Sequence, residues 1–369
     1  MALVTVFLTG FPGFLGSALI DRLLDRDRRV ACLVQPKYRE DAERRAAELV
    51  GDERGDDPAD DRKDRIDLYE GDITEPDLGL DAADRDRLQD AVEEVFHLAA
   101  VYDLGVSRSV GEAVNVRGTE HVLDFAESIG DLRRFQYVST CYVSGRHDGV
   151  FAESDLDVGQ TFNNHYEATK FEAEVAVQAR MDEGLPTTIY RPAIVVGDSR
   201  TGETEKYDGP YYLVHFLLEQ PGFAALPRTP GADDCEVNVV PREYVVDAID
   251  HLSALSRSEG EVYQLCDPNP PTVAEMTAAF AEATDTRVLS VPAPKGPTKR
   301  ALSLGPVRRW TGIEPAVIDY FDHPTRYVGA TARKHLAGSG IEPPPFGSYV
   351  ETLVEFVREH PEIGSDARV

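Results

Sequence analysis

Residues 3–16 read LVTVFLTGFPGFLG, so a short β-branched and apolar run, Leu3–Thr9, passes without a spacer into glycines at positions 10, 13 and 16. A strand that turns at once into a helix needs three things: backbone angles that only glycine takes freely, a bare Cα where main chain meets a ligand, and a bare Cα where helix packs on strand. Gly10, Gly13 and Gly16 supply them in that order. The helix expected next, Phe14–Asp25, offers its unbonded first N–H groups to an anion. After a strand and before a helix, this spacing reads as a dinucleotide-binding turn with the pyrophosphate at the helix start. An ordinary strand-to-helix turn is the alternative.

The pattern continues. Apolar runs at Arg29–Val34, Ile66–Glu70, Glu94–Ala99, Arg134–Ser139 and Thr187–Val196 alternate with helical periodicity at Arg39–Val50, Ser109–Ile129 and Asn164–Glu183. That alternation predicts an α/β fold, a doubly wound parallel Rossmann sheet. After Gly197 it fails. An amphipathic piece, Tyr211–Leu218, stands among polar, glycine- and proline-bearing stretches, and core-like runs return at Val237–Val240 and Val262–Cys266. Prolines 268, 270, 271, 292, 294, 297 and 306 then break the chain into short elements before a last periodic helix, about Ser348–Glu359. The expected organisation is a cofactor-binding core over 1–196, rejoined by 237–266. A smaller C-terminal substrate-binding lobe would take 197–236 and 267–369.

The ribose end of a dinucleotide is read at the tip of the second strand. Here it is Val34, Gln35, Pro36, Lys37, Tyr38, Arg39, with no carboxylate to accept from the 2′-hydroxyl of NAD. Lys37 and Arg39 can meet a 2′-phosphate, which favours NADP, with NAD as the alternative if both are solvated helix-entry charges. After the third strand, Asp72 can accept from the adenine amino group with Ile73 beside it, or Asp72 and Thr74 simply cap a turn. The fourth strand runs into His97, Leu98, Ala99 and Ala100, and the small alanines Ala99 and Ala100 let a cofactor lie against backbone.

Tyr166 and Lys170 lie four apart in NHYEATKFEAE, on one face of a helix. A tyrosine near pKa 10 is a poor acid–base at neutral pH, and a neighbouring ammonium favours its phenolate. The pair follows YVSTCYVSG, residues 137–145, which leaves the sheet at the carboxyl edge where such sheets bind ligands. Thr140 is the first choice for the hydroxyl that holds a substrate carbonyl oxygen, Ser139 the nearest rival. Asn115, in AVNVRGTEH, either joins a proton relay or acts as a local helix-bending amide.

With these residues in hand the chain resembles an extended short-chain dehydrogenase/reductase over roughly its first 265 residues. TGFPGFLG matches that family's glycine turn, Asp72 its adenine-side acid, Thr140, Tyr166 and Lys170 its active-site triad, and Asn115 its helix asparagine. It is most similar to the branch of fatty acyl-CoA reductases and thioester reductase domains, through GFLG at 13–16, GDITEPDLGL at 71–80, YVSTCYV at 137–143 and RPAIVVGDSRTGE at 191–203. The resemblance implies NAD(P)-dependent hydride transfer to or from a carbonyl or alcohol, with an acyl thioester or fatty aldehyde as substrate. Pro12, Phe14, Leu15 and Pro192 join the cofactor-binding candidates. Tyr211, Tyr212, Phe216 and Phe223 either line an acyl pocket or belong to plain core. A hydroxysteroid dehydrogenase, a nucleotide-sugar epimerase or dehydratase, and a non-catalytic NADP sensor are the alternatives. Homodimerisation through the Ser109 and Asn164 helices is a family expectation, and any acyl carrier is expected to come from outside.

Composition excludes other classes. Acids number 66 against 38 bases, a net charge of −28, and seven of the bases are lysines, which argues against nucleic acid or an anionic membrane as partner. Without an apolar run of membrane-spanning length or a signal-like start, a soluble, cytoplasmic protein is expected. Cys32, Cys141, Cys235 and Cys266 are scattered singly and the nine histidines form no HExxH, so no metal site is expected. Asp52, Glu53, Asp56, Asp57, Asp60 and Asp61 crowd one stretch. So acidic and lysine-poor a chain resembles the proteins of salt-loving organisms, whose self-repulsion is screened by salt. Its melting temperature is expected to rise from low to multimolar potassium chloride; a flat or falling trend would refute the halophilic reading.

Overall fold

The computed structural model of the chain describes residues 3–51, 61–220, 222–228, 233–292, 296, 300, 304, 320 and 322–364. Asp52, Glu53, Asp56, Asp57 and Asp60 of the acidic stretch, and Pro294, Pro297 and Pro306, lie outside the described residues.

Seven strands make the central sheet: β1 Thr5–Thr9, β2 Arg29–Val34, β3 Ile66–Glu70, β4 Val92–His97, β5 Arg134–Val138, β7 Thr187–Pro192 and β11 Val262–Leu265. Their order is β11-β7-β5-β4-β1-β2-β3, every pairing parallel. The chain lays β1 to β3 outward, then crosses back to set β4 on the other side of β1. The strand order therefore reverses at β1 and β4, and a crevice opens beyond their carboxyl ends.

Alternation along the strands serves both layers. Val6 and Leu8 of β1 pack with Leu19 and Leu23 of α1, Phe14–Asp25, while Phe7 faces away and meets Phe125 of α5, Gly118–Glu127, at 4.7 Å between ring centroids. The first layer is completed by α8, Arg242–Ser253, whose Val245, Ile249 and Leu252 are buried in the same cluster. Ion pairs join α8 to α1 across more than two hundred residues: Arg22 Nε donates to Asp247 at 2.7 Å and Arg26 Nη1 to Asp250 at 2.8 Å.

The structure departs from the sequence expectation in several elements. The run Thr187–Val196 is two strands, because Pro192 has no N–H to donate and the chain leaves the sheet after it. β8, Ile194–Val196, pairs instead with β10, Val239–Pro241. The helix expected over Ser109–Ile129 is α4, Arg108–Gly111, then a π-helical turn, Glu112–Arg117, then α5. The Asn115 side chain takes both main-chain groups of Val101 here, and the turn is widened around it. Two helices lacked a clear periodic signal: α3, Ala82–Ala91, buries only Leu88, and α9, Val273–Ala283, is fixed by a Thr272–Glu275 capping box amid prolines. The strand pairs β6 Gly149–Ala152 with β13 Thr325–Val328, and β9 Phe223–Arg228 with β12 Arg287–Pro292, join segments too distant for local pattern to link. A second hydrophobic cluster gathers Tyr211 and Leu217 of α7, Tyr211–Leu218, Met276 and Phe280 of α9, and Leu353 and Val357 of the helix Val350–Glu359.

Behind the crevice sits a buried ion pair. Glu174, on α6 His165–Asp182, receives the Arg191 Nη2 and Nε hydrogens at 2.6 and 2.9 Å, and neither side chain reaches water. The Ser139 hydroxyl and the Gln178 amide also donate to it. Removing one partner strands a charge in the core. Glu174→Leu or Arg191→Leu alone is expected to cost about 3–5 kcal/mol in urea unfolding, and the double replacement clearly less than their sum; additive losses would show that the pair acts as two independent groups.

Candidate active site

The turn after β1 is made possible by missing side chains. Gly10 has φ +99°, and its carbonyl receives the Gly13 N–H at 2.9 Å. A Cβ on Gly13 would stand 2.8 Å from that carbonyl oxygen and one on Gly16 2.5 Å, both closer than real contacts allow. A Cβ on Gly10 would press on Leu98 and the Ala99 nitrogen at 3.0 Å. The bare surface lets the turn sit against the end of β4. No side chain caps α1 and no acid lies in its first turn, so its leading N–H groups face the crevice unneutralised.

A cavity of about 370 Å³, within the range of ligand pockets, runs from this turn along the sheet edge. Gly10, Pro12, Gly13, Phe14, Leu15 and Gly16 line one wall, and Asp72, Ile73, Ala99 and Ala100 another. Thr140, Tyr166, Lys170 and Pro192 meet them in the same space. Lys37, Arg39 and Asn115 do not line it. Arg39 pairs with Glu43 at 2.8 Å and reaches the Leu68 carbonyl, while the Lys37 ammonium lies 5.0 Å from the Tyr38 ring centre. At that end the cavity meets Gln35 and Tyr38 instead. Gln35 donates to Asp72 at 2.8 Å, and the other Asp72 oxygen receives the Thr74 N–H and hydroxyl, so that carboxylate also braces its own turn.

The two strand-end hydroxyls have different surroundings. Ser139 is tied to Glu174, whereas Thr140 accepts from the Tyr142 N–H at 3.2 Å, donates to the Pro192 carbonyl at 3.5 Å and lies beside Tyr166. Of the two, Thr140 has the hydroxyl beside the tyrosine. Tyr166 sits on the first turn of α6, which is capped by the Asn164 side chain. Burial raises the Tyr166 pKa, the Thr140 hydrogen bond opposes that shift, and the charges of Asp208 and Glu167 add to it. The tyrosine is thus a protonated acid at neutral pH. Burial outweighs the pull of a neighbouring ammonium toward phenolate, and Lys170 Nζ gives two of its hydrogens to the Tyr137 hydroxyl and the Val138 carbonyl, each at 3.0 Å. Burial pulls Lys170 itself down to about 8, against the raising influence of Glu174. The Asn115 amide binds Thr169 at 3.0 Å and the Val101 backbone, and the Asn115 carbonyl receives the Thr119 hydroxyl at 2.6 Å.

At the far end the lining is Tyr102, Tyr142, Ile194, Thr204 and an ion pair, Lys206 with Asp208 at 2.9 Å. Lys206 also donates to the Tyr102 carbonyl, and the Tyr102 ring stands edge-on to Tyr166 at 5.0 Å. Lys206 and Asp208 carry no local sequence pattern that marks them. Tyr211 and Phe216 belong to the second cluster, and Phe223 is exposed; with Tyr212, they do not reach the cavity. Among the described residues no set of three His, Cys, Asp or Glu groups could hold a metal ion, and no helix is long and apolar enough to cross a membrane.

The chain is similar to known proteins. The family described as "Male sterility protein" matches residues 8–249. A linear gramicidin synthase polypeptide of Brevibacillus parabrevis is 27% identical over 279 residues, 74% of this chain and 5% of that protein. Fatty acyl-CoA reductase wat of Drosophila melanogaster is 28% identical over 279 residues, 66% of this chain and 53% of that protein. The chain thus spans well under two thirds of either relative. Among solved structures, the terminal R domain of the myxalamid PKS-NRPS biosynthetic pathway superposes with a TM-score of 0.80 at 25% identity, covering 98% of this chain and 92% of that one.

Proposed function

The chain belongs to the male sterility protein family, of the extended short-chain dehydrogenase/reductase type, and from that premise we propose that it is a nicotinamide-dependent reductase of carbonyl groups, with an acyl thioester or the derived aldehyde as substrate. The observation that carries this reading is the convergence of Thr140, Tyr166 and Lys170 on one cavity with the glycine turn. A dinucleotide fits that turn because its wall is main chain and bare Cα, with unneutralised helix N–H groups for the pyrophosphate. When bound, the cofactor supplies the hydride.

In this reading the residues divide the remaining work. Thr140 holds the substrate carbonyl oxygen at the place where charge develops. Tyr166, fully protonated at neutral pH, gives its proton to that oxygen, which suits reduction better than oxidation. Lys170 supplies a positive field beside both, and Thr204, Lys206 and Asp208 of the segment 197–236 border the substrate end. The nucleotide-sugar alternative asks for a basic pocket, whereas among the described residues the substrate end has one ammonium, Lys206, already neutralised by Asp208. An acyl chain suits such a lining better.

Purified protein offered acyl-CoAs, aldehydes, sterols and nucleotide sugars with NADH and NADPH in parallel is expected to turn over the first two classes. Tyr166→Phe should keep cofactor binding and lose at least about 100-fold in kcat; a variant that still turns over would refute Tyr166 as the proton donor. The lean to NADP is the sequence reading of Lys37 and Arg39 at the tip of β2. If NADP is the cofactor, Lys37→Ala should raise KM for NADPH by about tenfold and leave NADH nearly unchanged. Equal effects on the two would count against NADP.

A further inference from the structure

Lys170 is 3% exposed, and an ammonium so buried needs acceptors on every hydrogen it does not offer to the cavity. One is the Val138 carbonyl; the other is a hydroxyl, that of Tyr137, which is fully buried and whose ring also lies 4.6 Å beneath the ammonium. A hydroxyl can donate or accept, so what fixes its direction matters.

The surrounding hydrogen bonds fix it. Thr119 gives its only hydroxyl hydrogen to the Asn115 carbonyl at 2.6 Å. The Thr119 oxygen can then only accept, and two groups face it: His97 Nε2 at 3.0 Å and the Tyr137 hydroxyl. At its other nitrogen, His97 meets Thr9 at 2.7 Å, and the Thr9 oxygen already receives the Ala99 N–H at 3.2 Å. Because Thr119 can only accept, the imidazole hydrogen sits on Nε2 and points at it, which leaves Nδ1 to accept from Thr9. Burial, with the charge of Lys170 adding to it, holds His97 down to about 3, so the ring is neutral and this tautomer persists. Thr119 thus has no hydrogen to give Tyr137, whose hydroxyl accepts from Lys170 at 3.0 Å.

We propose that Tyr137 is the positioning residue of Lys170, its hydroxyl set as an acceptor by the Thr119–His97–Thr9 chain so that the third ammonium hydrogen points into the cavity. The Asn115 amide takes no part in this, being spent on Val101 and Thr169. The inference rests on the reading of Lys170 as a working group of the site. The titratable groups that face Lys170 are Glu174 and Tyr166 on its own helix, Tyr137 on β5 and His97 on β4. Only the Tyr137 hydroxyl changes in the test.

That test is Tyr137→Phe, which keeps the ring beneath the ammonium and removes the acceptor. With seven lysines in the chain, a lysine-labelled sample gives few side-chain NMR signals, and Lys170→Arg assigns the one that matters. Loss of an acceptor disfavours the charged form, so the Lys170 titration midpoint is expected to fall by about one pH unit from its wild-type value. The alkaline limb of kcat should move down with it, while KM for cofactor changes less than kcat. An unchanged midpoint in folded Tyr137→Phe overturns the proposal. Should that variant not fold, Thr119→Val, which removes the acceptor that orients Tyr137, is expected to move the midpoint the same way by less, and no movement there overturns it equally. The titration requires no turnover, so it stands apart from any failure of the substrate assignment.

Discussion

A guanidinium and a carboxylate that never touch water hold the working end of this molecule together. Arg191 is on β7, Glu174 on α6, and Ser139 at the end of β5 is fastened to the same carboxylate. Arg191 also reaches toward the carbonyls of Ala152 and Glu153 beside β6. Sheet, helix and loop therefore meet at one charge pair, one residue from Thr140 and one helical turn from Lys170. The pair needs several hydrogen bonds to repay its desolvation, and it has them. The catalytic candidates stand on rigid elements because the charges behind them permit few other arrangements.

The same economy governs the cavity. Its cofactor wall is backbone and bare Cα, and its polar groups are few and mostly committed: Asp72 to Gln35 and Thr74, Ser139 to Glu174, Lys206 to Asp208. Thr140 and Tyr166 face a mostly aromatic and aliphatic lining. Low polarity keeps the tyrosine protonated, and a charge developing near it is felt strongly.

Much of this was readable from the chain alone, and for a physical reason. The glycine turn, the strand alternation and the Tyr166/Lys170 spacing are local, and local geometry dictates them: α1 occupies Phe14–Asp25, as its periodicity predicts. The constellation of Thr140, Tyr166 and Lys170 likewise followed from their order relative to β1 and β5. The hidden parts depend on distant partners. Nothing near Tyr137 announces that Thr119 and His97 will orient it, and nothing near Arg39 shows that the Leu68 carbonyl will receive it, though Glu43 stands four residues on in the same helix. Lys206 and Asp208 reach the cavity only through the path of the chain after β8.

The sheet's outer strand arrives late. β11 pairs with β7 from some seventy residues further along, and α8, immediately before it, covers the face of α1 that carries Arg22 and Arg26. A fragment ending where the nucleotide motifs end would leave that face of α1 bare and the edge of β7 unpaired, an invitation to aggregation rather than a small functional domain. During synthesis the first half must wait for its cover, and the most distant contacts in the sequence are among the last that can form. Dissection of this protein into autonomous pieces would have to respect that seam.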